Sequence, residues 1–432
     1  MRNILKASIP MVIGFLFHST FNIVDAYYVG KISPEALAAV SVSFPIVFLI
    51  IALSIGVGTG TTSLVAMACG QKKLGKAARI AEHAILLSII MSFLFTIIGL
   101  ASIGPLFSLM GVEGEVEALG LEYLTIILTG SIIIFLTMVG SSIIRGEGEM
   151  KVPMIAICVS SVINIIIDPI FIFTFGWGVA GAAIATVISR SVGIIIFLAY
   201  LGSSRSWLNF DLHGFKFNIG YIKDIFKIGL PSSLSNVSMS LGMFILTVIV
   251  AGFGTEALAA FGIGFRLDSL ALLPGMGISV AVITLVGQNV GAGHYERAKE
   301  MTYKAGLLAT GLMTVIGSFL FFFPVFIIGI FNTDPLVIEY GSSFLSIIPF
   351  SYLFVGLSMS ISGAFLGTGH PLPSFALTFL RAIVLNTLFA VVLSSVYGVS
   401  GIWYGIVLSS FMSFLLSVVW MHVFWKKYLR RG

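Results

Sequence analysis

The sequence predicts an all-α integral membrane protein: twelve transmembrane helices in two six-helix bundles, related by pseudo-two-fold symmetry about an axis along the membrane normal. Three observations predict it. Of 432 residues, 58% are hydrophobic and only 9% are charged, where a soluble domain is roughly one-quarter charged. The apolar residues fall in successive stretches of about 20 or more, the length a helix needs to cross the hydrocarbon layer. The second half of the chain also repeats signals of the first at a nearly constant offset.

The start, Met1 to Lys6, is too short to combine a charged region with a cleavable apolar core, so the first apolar stretch is expected to stay as a span. In order, the spans cover 8–30, 41–69, 82–104, 120–144, 152–175, 178–201, 225–253, 258–287, 302–328, 340–363, 372–396 and 399–424. They divide into an N-terminal lobe, 1–201, a cytoplasmic linker, 202–224, and a C-terminal lobe, 225–432. The linker places Trp207, Phe210, Phe215, Phe217 and Tyr221 near Lys216 and Lys223. Such a mixture fits a segment lying partly on the membrane surface, and equally an ordinary tether.

Basic residues set the orientation. With the N-terminus inside, nineteen Lys and Arg, including Arg430 and Arg431, fall on the cytoplasmic side, and only Lys31 falls outside. Retention of basic loops in the cytoplasm therefore puts both termini there. The excess of five positive charges is explained by those loops, so nucleic acid is not an expected partner. The acids Glu113, Glu115, Glu117 and Asp334 fall outside, as solvated loop charges.

The repeat is legible residue by residue. Pro10 aligns with Pro231, EALAA at 35–39 with EALAA at 256–260, and Gly146 and Gly148 with Gly367 and Gly369, all at an offset of 221. Gly178 and Gly181 of GVAG reach Gly398 and Gly401 of GVSG at 220. Six spans per copy is an even number, so both copies enter the membrane from the same side. Two such bundles are expected to leave a central cleft that rocking exposes to alternate sides, as in a secondary transporter. The chain holds no GxxxxGK[ST] string and so no ATP-hydrolysing signature. An ion gradient is the expected energy source, with no cofactor and no enzymatic activity.

Acids within spans are costly and call for a reason. Asp25 lies in the outer half of the first span, Asp168 lies about seven residues before the end of the fifth, and Thr186 of the sixth reaches a comparable depth. Asn22 and Asn164 stand three and four residues before their carboxylates, on the same helix faces. Pro169 follows Asp168. Lacking an N–H, it loosens the local backbone and could free a carbonyl. Two carboxylates, two amides and a hydroxyl at one level suit Na⁺, H⁺ or both. Carboxylates within about 4 to 6 Å in a dry pocket cannot both ionise easily, which would permit proton exchange. The alternative reading is a pair of neutral helix-joining groups. The second copy has Leu246 where the first has Asp25, and Asp168 falls near Phe389, so the ion site is expected in the first lobe only.

Arg266 and Asp268, two apart on the eighth span, face differently and could each contact substrate or lock the structure. Arg190 and Arg381 are expected to snorkel or pair rather than bind substrate. Cys69, Cys158 and His18 read as packing residues, since none stands at metal-ligand spacing from a second ligand. The glycines of GVGTG at 56–60 read as close helix approaches rather than a phosphate loop. A cleft lined by Phe, Met and small polar residues would accept small amphiphilic molecules without strict shape selection.

The chain resembles the multidrug and toxic compound extrusion family of cation-coupled exporters along nearly its whole length. The resemblance rests on Pro10, NIVDAYYVG from Asn22, EALAA at 35, RGEGEMKVP from Arg145, NIIIDP from Asn164, GVAGAAIAT from Gly178 and VGQNVGAGHYERA from Val286. It is most similar to the prokaryotic branch named for DNA-damage-inducible protein F, whose members carry their coupling acids in the first lobe. The resemblance implies a multidrug efflux antiporter with Asp25, Asn164, Asp168 and Thr186 as the cation site, and Pro10 as the point where the first helix bends. It leaves Na⁺ against H⁺ open. Other branches place acids in the seventh and tenth spans, where this chain has none.

A flippase for lipids or lipid-linked sugars shares the two-lobe plan, but would need more cationic groups in its cleft than Arg190, Arg266 and Arg381. A membrane-embedded enzyme would need paired histidines and acids near one surface. A channel would leak ions without exchange. A monomer in the lipid bilayer is the expected state.

Overall fold

Inside a bilayer each spanning segment must satisfy its own backbone groups, and helices do so. The computed structural model describes residues 1–208, 210 and 214–429, and is helical almost throughout. Arg430 and Arg431, counted above among the inside charges, lie outside the described residues. The spans are α1 (Arg2–Gly30), α2 (Pro34–Gly70), α3 (Leu74–Leu109), α4 (Glu115–Thr129 with Ser131–Glu147), α5 (Lys151–Thr174) and α6 (Gly178–Leu201). The second six are α7 (Ile219–Ala251), α8 (Thr255–Gly291), α9 (Tyr295–Phe322), α10 (Pro335–Gly367), α11 (Pro371–Tyr397) and α12 (Val399–Leu429). Among the described residues eleven are single helices long and apolar enough to cross a membrane, and the bent pair of α4, taken as one span, makes twelve. The chain is a multi-pass membrane protein.

Local chemistry moves the ends away from the purely apolar limits. α2 starts earlier than its apolar stretch because Ser33 Oγ accepts the Ala36 N–H at 3.0 Å and Pro34 occupies the first turn, both strong start signals. Asp334 is more than a loop charge. Its Oδ1 accepts the Leu336 and Val337 N–H groups at 2.8 and 3.3 Å and caps α10. The fourth span, expected as one helix, bends by 47° at Gly130. A Cβ there would stand 2.5 Å from a Val187 methyl of α6. The ninth span stops at Phe322 rather than running to 328, and Pro324 opens a separate short helix, Pro324–Phe331. The residue before a proline is pushed out of helical conformation, and Phe323 is so placed.

Packing gathers the chain into two compact units, Ile13–Ser233, and Met1–Val12 with Leu234–Gly432. The division falls two residues after Pro10 in α1 and two after its repeat partner Pro231 in α7. In the first unit α2 packs most extensively on the second half of α4. The Gly56 and Gly60 positions face α7, where added Cβ atoms would meet the Gly229 and Ile225 carbonyls at 2.6 and 2.5 Å. This is the close backbone approach that small residues permit between membrane helices. In the second unit α9 packs on α8 and α10. Its core centres on Trp403, 0% exposed, stacked on Phe261 at 5.6 Å and edge-on to Phe344 at 5.0 Å.

The described part of the linker docks on the first unit. Glu147, the last residue of α4, accepts Ser206 Oγ at 2.6 Å and Tyr200 Oη at 3.0 Å. His83 of α3 donates through Nδ1 to the Arg79 carbonyl at 2.6 Å, since a carbonyl only accepts. Its Nε2 is therefore free to accept the Asn218 N–H at 2.9 Å. Phe215, Phe217 and Tyr221 surround that imidazole. Trp207 and Phe217 keep outward faces, 56% and 60% exposed.

Candidate functional site

The first unit brings together groups from α1, α4, α5 and α6. Asn164 and Asp168 are one helical turn apart, so the Asn164 amide donates to Asp168 Oδ1 at 3.1 Å. Asp168 is 0% exposed and Asn164 1%. Asp25 of α1 is close enough to Asp168 for the two carboxyls to act on each other's charge. Directly after Asp168 the helix widens. Pro169 has no N–H to offer the Ile165 carbonyl, and Ile170–Thr174 runs as a π-helix, in which Phe175 N–H bonds Ile170 O at 2.9 Å. Such wide turns recur at functional positions.

Three oxygens define what the cluster can hold. Asp25 Oδ1, Asn164 Oδ1 and Asp168 Oδ2 are buried without a hydrogen-bond partner. Buried acceptors left unmade are costly and call for a third party. A hard monovalent cation or a proton shared by the carboxylates satisfies all-oxygen donors of this kind. The residues present therefore fit Na⁺ or H⁺.

Thr186 is buried on α6 and lies one turn before Arg190. Its hydroxyl makes no bond to the carboxylates, while its carbonyl accepts Ser189 Oγ at 3.0 Å. Asn22 is exposed on α1, three residues before Asp25. Pro10 lies within an unbroken α1.

Two neighbours of the pair carry weight that the linear reading did not assign. Arg190 of α6 is within electrostatic reach of Asp25 and His18, and Tyr123 of α4 stands near Asp25, Asp168 and Arg190. Arg190 forms no ion pair among the described residues, and its Nε is buried without a partner. The Thr186–Arg190 spacing was the available signal for Arg190. A lone tyrosine at the start of a span offers none.

The second unit has its own polar group. Tyr352 Oη donates to Asp268 Oδ1 at 2.8 Å, and Arg381 lies within electrostatic reach of that carboxylate. Arg266 is exposed and faces elsewhere, as the two-residue spacing requires.

The chain has counterparts among known proteins. The chain is 29% identical to the probable multidrug resistance protein NorM of Thermotoga maritima, over 94% of this chain and 89% of that protein. It is 28% identical to an FAD transporter of Shewanella oneidensis, over 93% and 90%. The solved outward-facing structure of a multidrug resistance MATE family transporter of the MOP superfamily covers 100% of this chain, which covers 96% of it, with 32% identity and a TM-score of 0.95. The MatE family model matches twice, at residues 10–170 and 231–392, one match for each copy of the repeat read from Pro10 and Pro231, and the chain belongs to the MatE family.

Proposed function

We propose that this protein is a secondary active multidrug efflux antiporter, exchanging external H⁺ or Na⁺ for amphiphilic or cationic organic compounds by alternating access. It is a transporter and not an enzyme. The observation that carries the reading is the meeting of Asp25 and Asp168 from separate spans, each with a buried oxygen lacking a partner. An intramembrane acid is retained where it serves an ion path, and relatives named for multidrug resistance supply the transported class.

In this reading Asp25, Asn164 and Asp168 take the cation, Thr186 borders the site on α6, and Asn22 belongs to the approach along α1. Pro10 is the conformational hinge of α1. The location of the acids in the first unit, with none in the apolar centres of α7 and α10, supports the DNA-damage-inducible-F-like branch. In this reading the protein works as a monomer in a prokaryotic cytoplasmic membrane, with both termini inside. The gradient contributes roughly 2.3 kcal/mol per charge per 100 mV, plus its chemical part.

Proteoliposome efflux with imposed Na⁺ and H⁺ gradients, applied separately, tests the proposal across cationic dyes, drugs, lipids and FAD. One gradient is expected to drive cationic dye export. Export of FAD alone would favour the second reading, a flavin-nucleotide exporter, which the Shewanella relative brings in. Substrate movement that ignores both gradients would rule out antiport.

A further inference from the structure

The second unit holds an acid, a phenol and a guanidinium that the coupling site does not use. Asp268 of α8 accepts from Tyr352 of α10 at 2.8 Å. Tyr352 is itself 1% exposed and wedged against Gly317 of α9, where a Cβ would stand 2.5 Å from the ring. The phenol is therefore fixed, and it aims one carboxylate oxygen in a set direction.

Arg381 of α11 is within electrostatic reach of the same carboxylate. It makes no ion pair with Asp268 or any other acid among the described residues. Its segment, Leu380–Leu385, is π-helical, a wide turn that changes the direction of the side chains along it and recurs at functional positions. The neighbouring Ala382 carbonyl packs tightly on α7 at Gly242, which holds this turn in place. The carboxylate is thus oriented by a fixed phenol, and the backbone turn that carries Arg381 is fixed on another helix, with no ion pair formed between the two charges.

Opposite charges in an apolar span gain most by pairing directly. Held apart, they ask for a third partner. A ligand carrying only a cation would satisfy Asp268 and leave Arg381 uncompensated. One carrying only an anion would do the reverse. A zwitterion compensates both and brings no net charge into the membrane.

We propose that Asp268 and Arg381 form a bipolar binding site in the second unit for zwitterionic organic molecules. The organic cation sits at Asp268, the carboxylate or similar acidic group sits at Arg381, and Tyr352 orients the acid. This site names a substrate class for the efflux reading and draws its physiological meaning from it. Binding is measured without any gradient, so failure of the site and failure of antiport are separable.

The test is equilibrium fluorescence anisotropy on the full-length purified protein in nanodiscs. The probes are rhodamine B, a zwitterion near neutral pH, and its ethyl ester, a monocation with the same chromophore. Wild type is expected to hold rhodamine B at least tenfold more tightly than the ester. Arg381→Met should weaken rhodamine B about tenfold and the ester less than twofold, and Arg381→Lys should keep part of the preference. Asp268→Asn should weaken both dyes about tenfold. Equal affinity of wild type for the two dyes, equal weakening of both by Arg381→Met, or indifference to Asp268→Asn would each overturn the site and leave a water-bridged structural pair. Should Arg381→Met fail to fold, the wild-type comparison of the two dyes decides alone.

Discussion

A carboxylate is kept inside a membrane helix only where something compensates it, and Asp25 and Asp168, both acids, need a shared proton or a cation between them. Three buried oxygens at the cluster remain without partners. Asp25→Asn and Asp168→Asn are each expected to abolish gradient-driven dye efflux in proteoliposomes. Yield and detergent-solubilised melting temperature should stay near wild type, since an amide replaces a carboxylate of equal shape. Full gradient-driven efflux by both variants would remove them from the coupling site. Asn164→Ala deletes the donor to Asp168 Oδ1. Membrane hydrogen bonds of this kind average about 0.6 kcal/mol, so a slight loss of stability is expected, together with a larger fall in apparent affinity for the coupling ion.

Among the elements, irregularities in the helices position the chemistry. The π-helical turn after Pro169 lies beside Asp168, and the π-helical turn at Leu380–Leu385 carries Arg381, so the fifth and eleventh spans both depart from α-geometry beside a buried charge. Close backbone contact between α2 and α7 depends on Gly60, where a Cβ would stand 2.5 Å from the Ile225 carbonyl. Gly60→Val should cost about 1–3 kcal/mol by overpacking, visible as a lowered melting temperature, and an unchanged melting temperature would show that α7 yields. The linker is held by Glu147, which accepts from Ser206 and Tyr200. Glu147→Ala is expected to raise the rate of trypsin cleavage at Arg205 several-fold by local opening, while the wild-type segment resists.

For the molecule as a whole, the charge count of nineteen basic residues against one predicts where the ends lie. Fluorescent-protein fusions at either terminus should be bright in cells, because that reporter matures in the cytoplasm, and alkaline phosphatase fusions at the same ends should be inactive. The opposite pattern would invert the assignment. The span count and the two-copy plan were legible along the chain because each rests on local or one-dimensional signals: apolar length, punctuation, and a register of 221 residues. The pairing of Asn164 with Asp168 was legible for the same reason, since one helical turn fixes it. Long-range placement was less accessible. Spacing put Asn22 on the face of Asp25, but its exposure was not legible, because how a helix rotates against its neighbours is set by every side chain on those neighbours. Arg190, Tyr123 and Arg381 stood in the sequence as isolated residues. Only packing of α4 and α6 around α1 and α5, and of α8, α10 and α11 in the second unit, decided which acid each would face. By itself the sequence determined a membrane protein of two repeated six-span halves with acids in the first. The tertiary structure decided which charges meet and which are held apart, because electrostatic partnership depends on distances across helices that no spacing along one helix encodes.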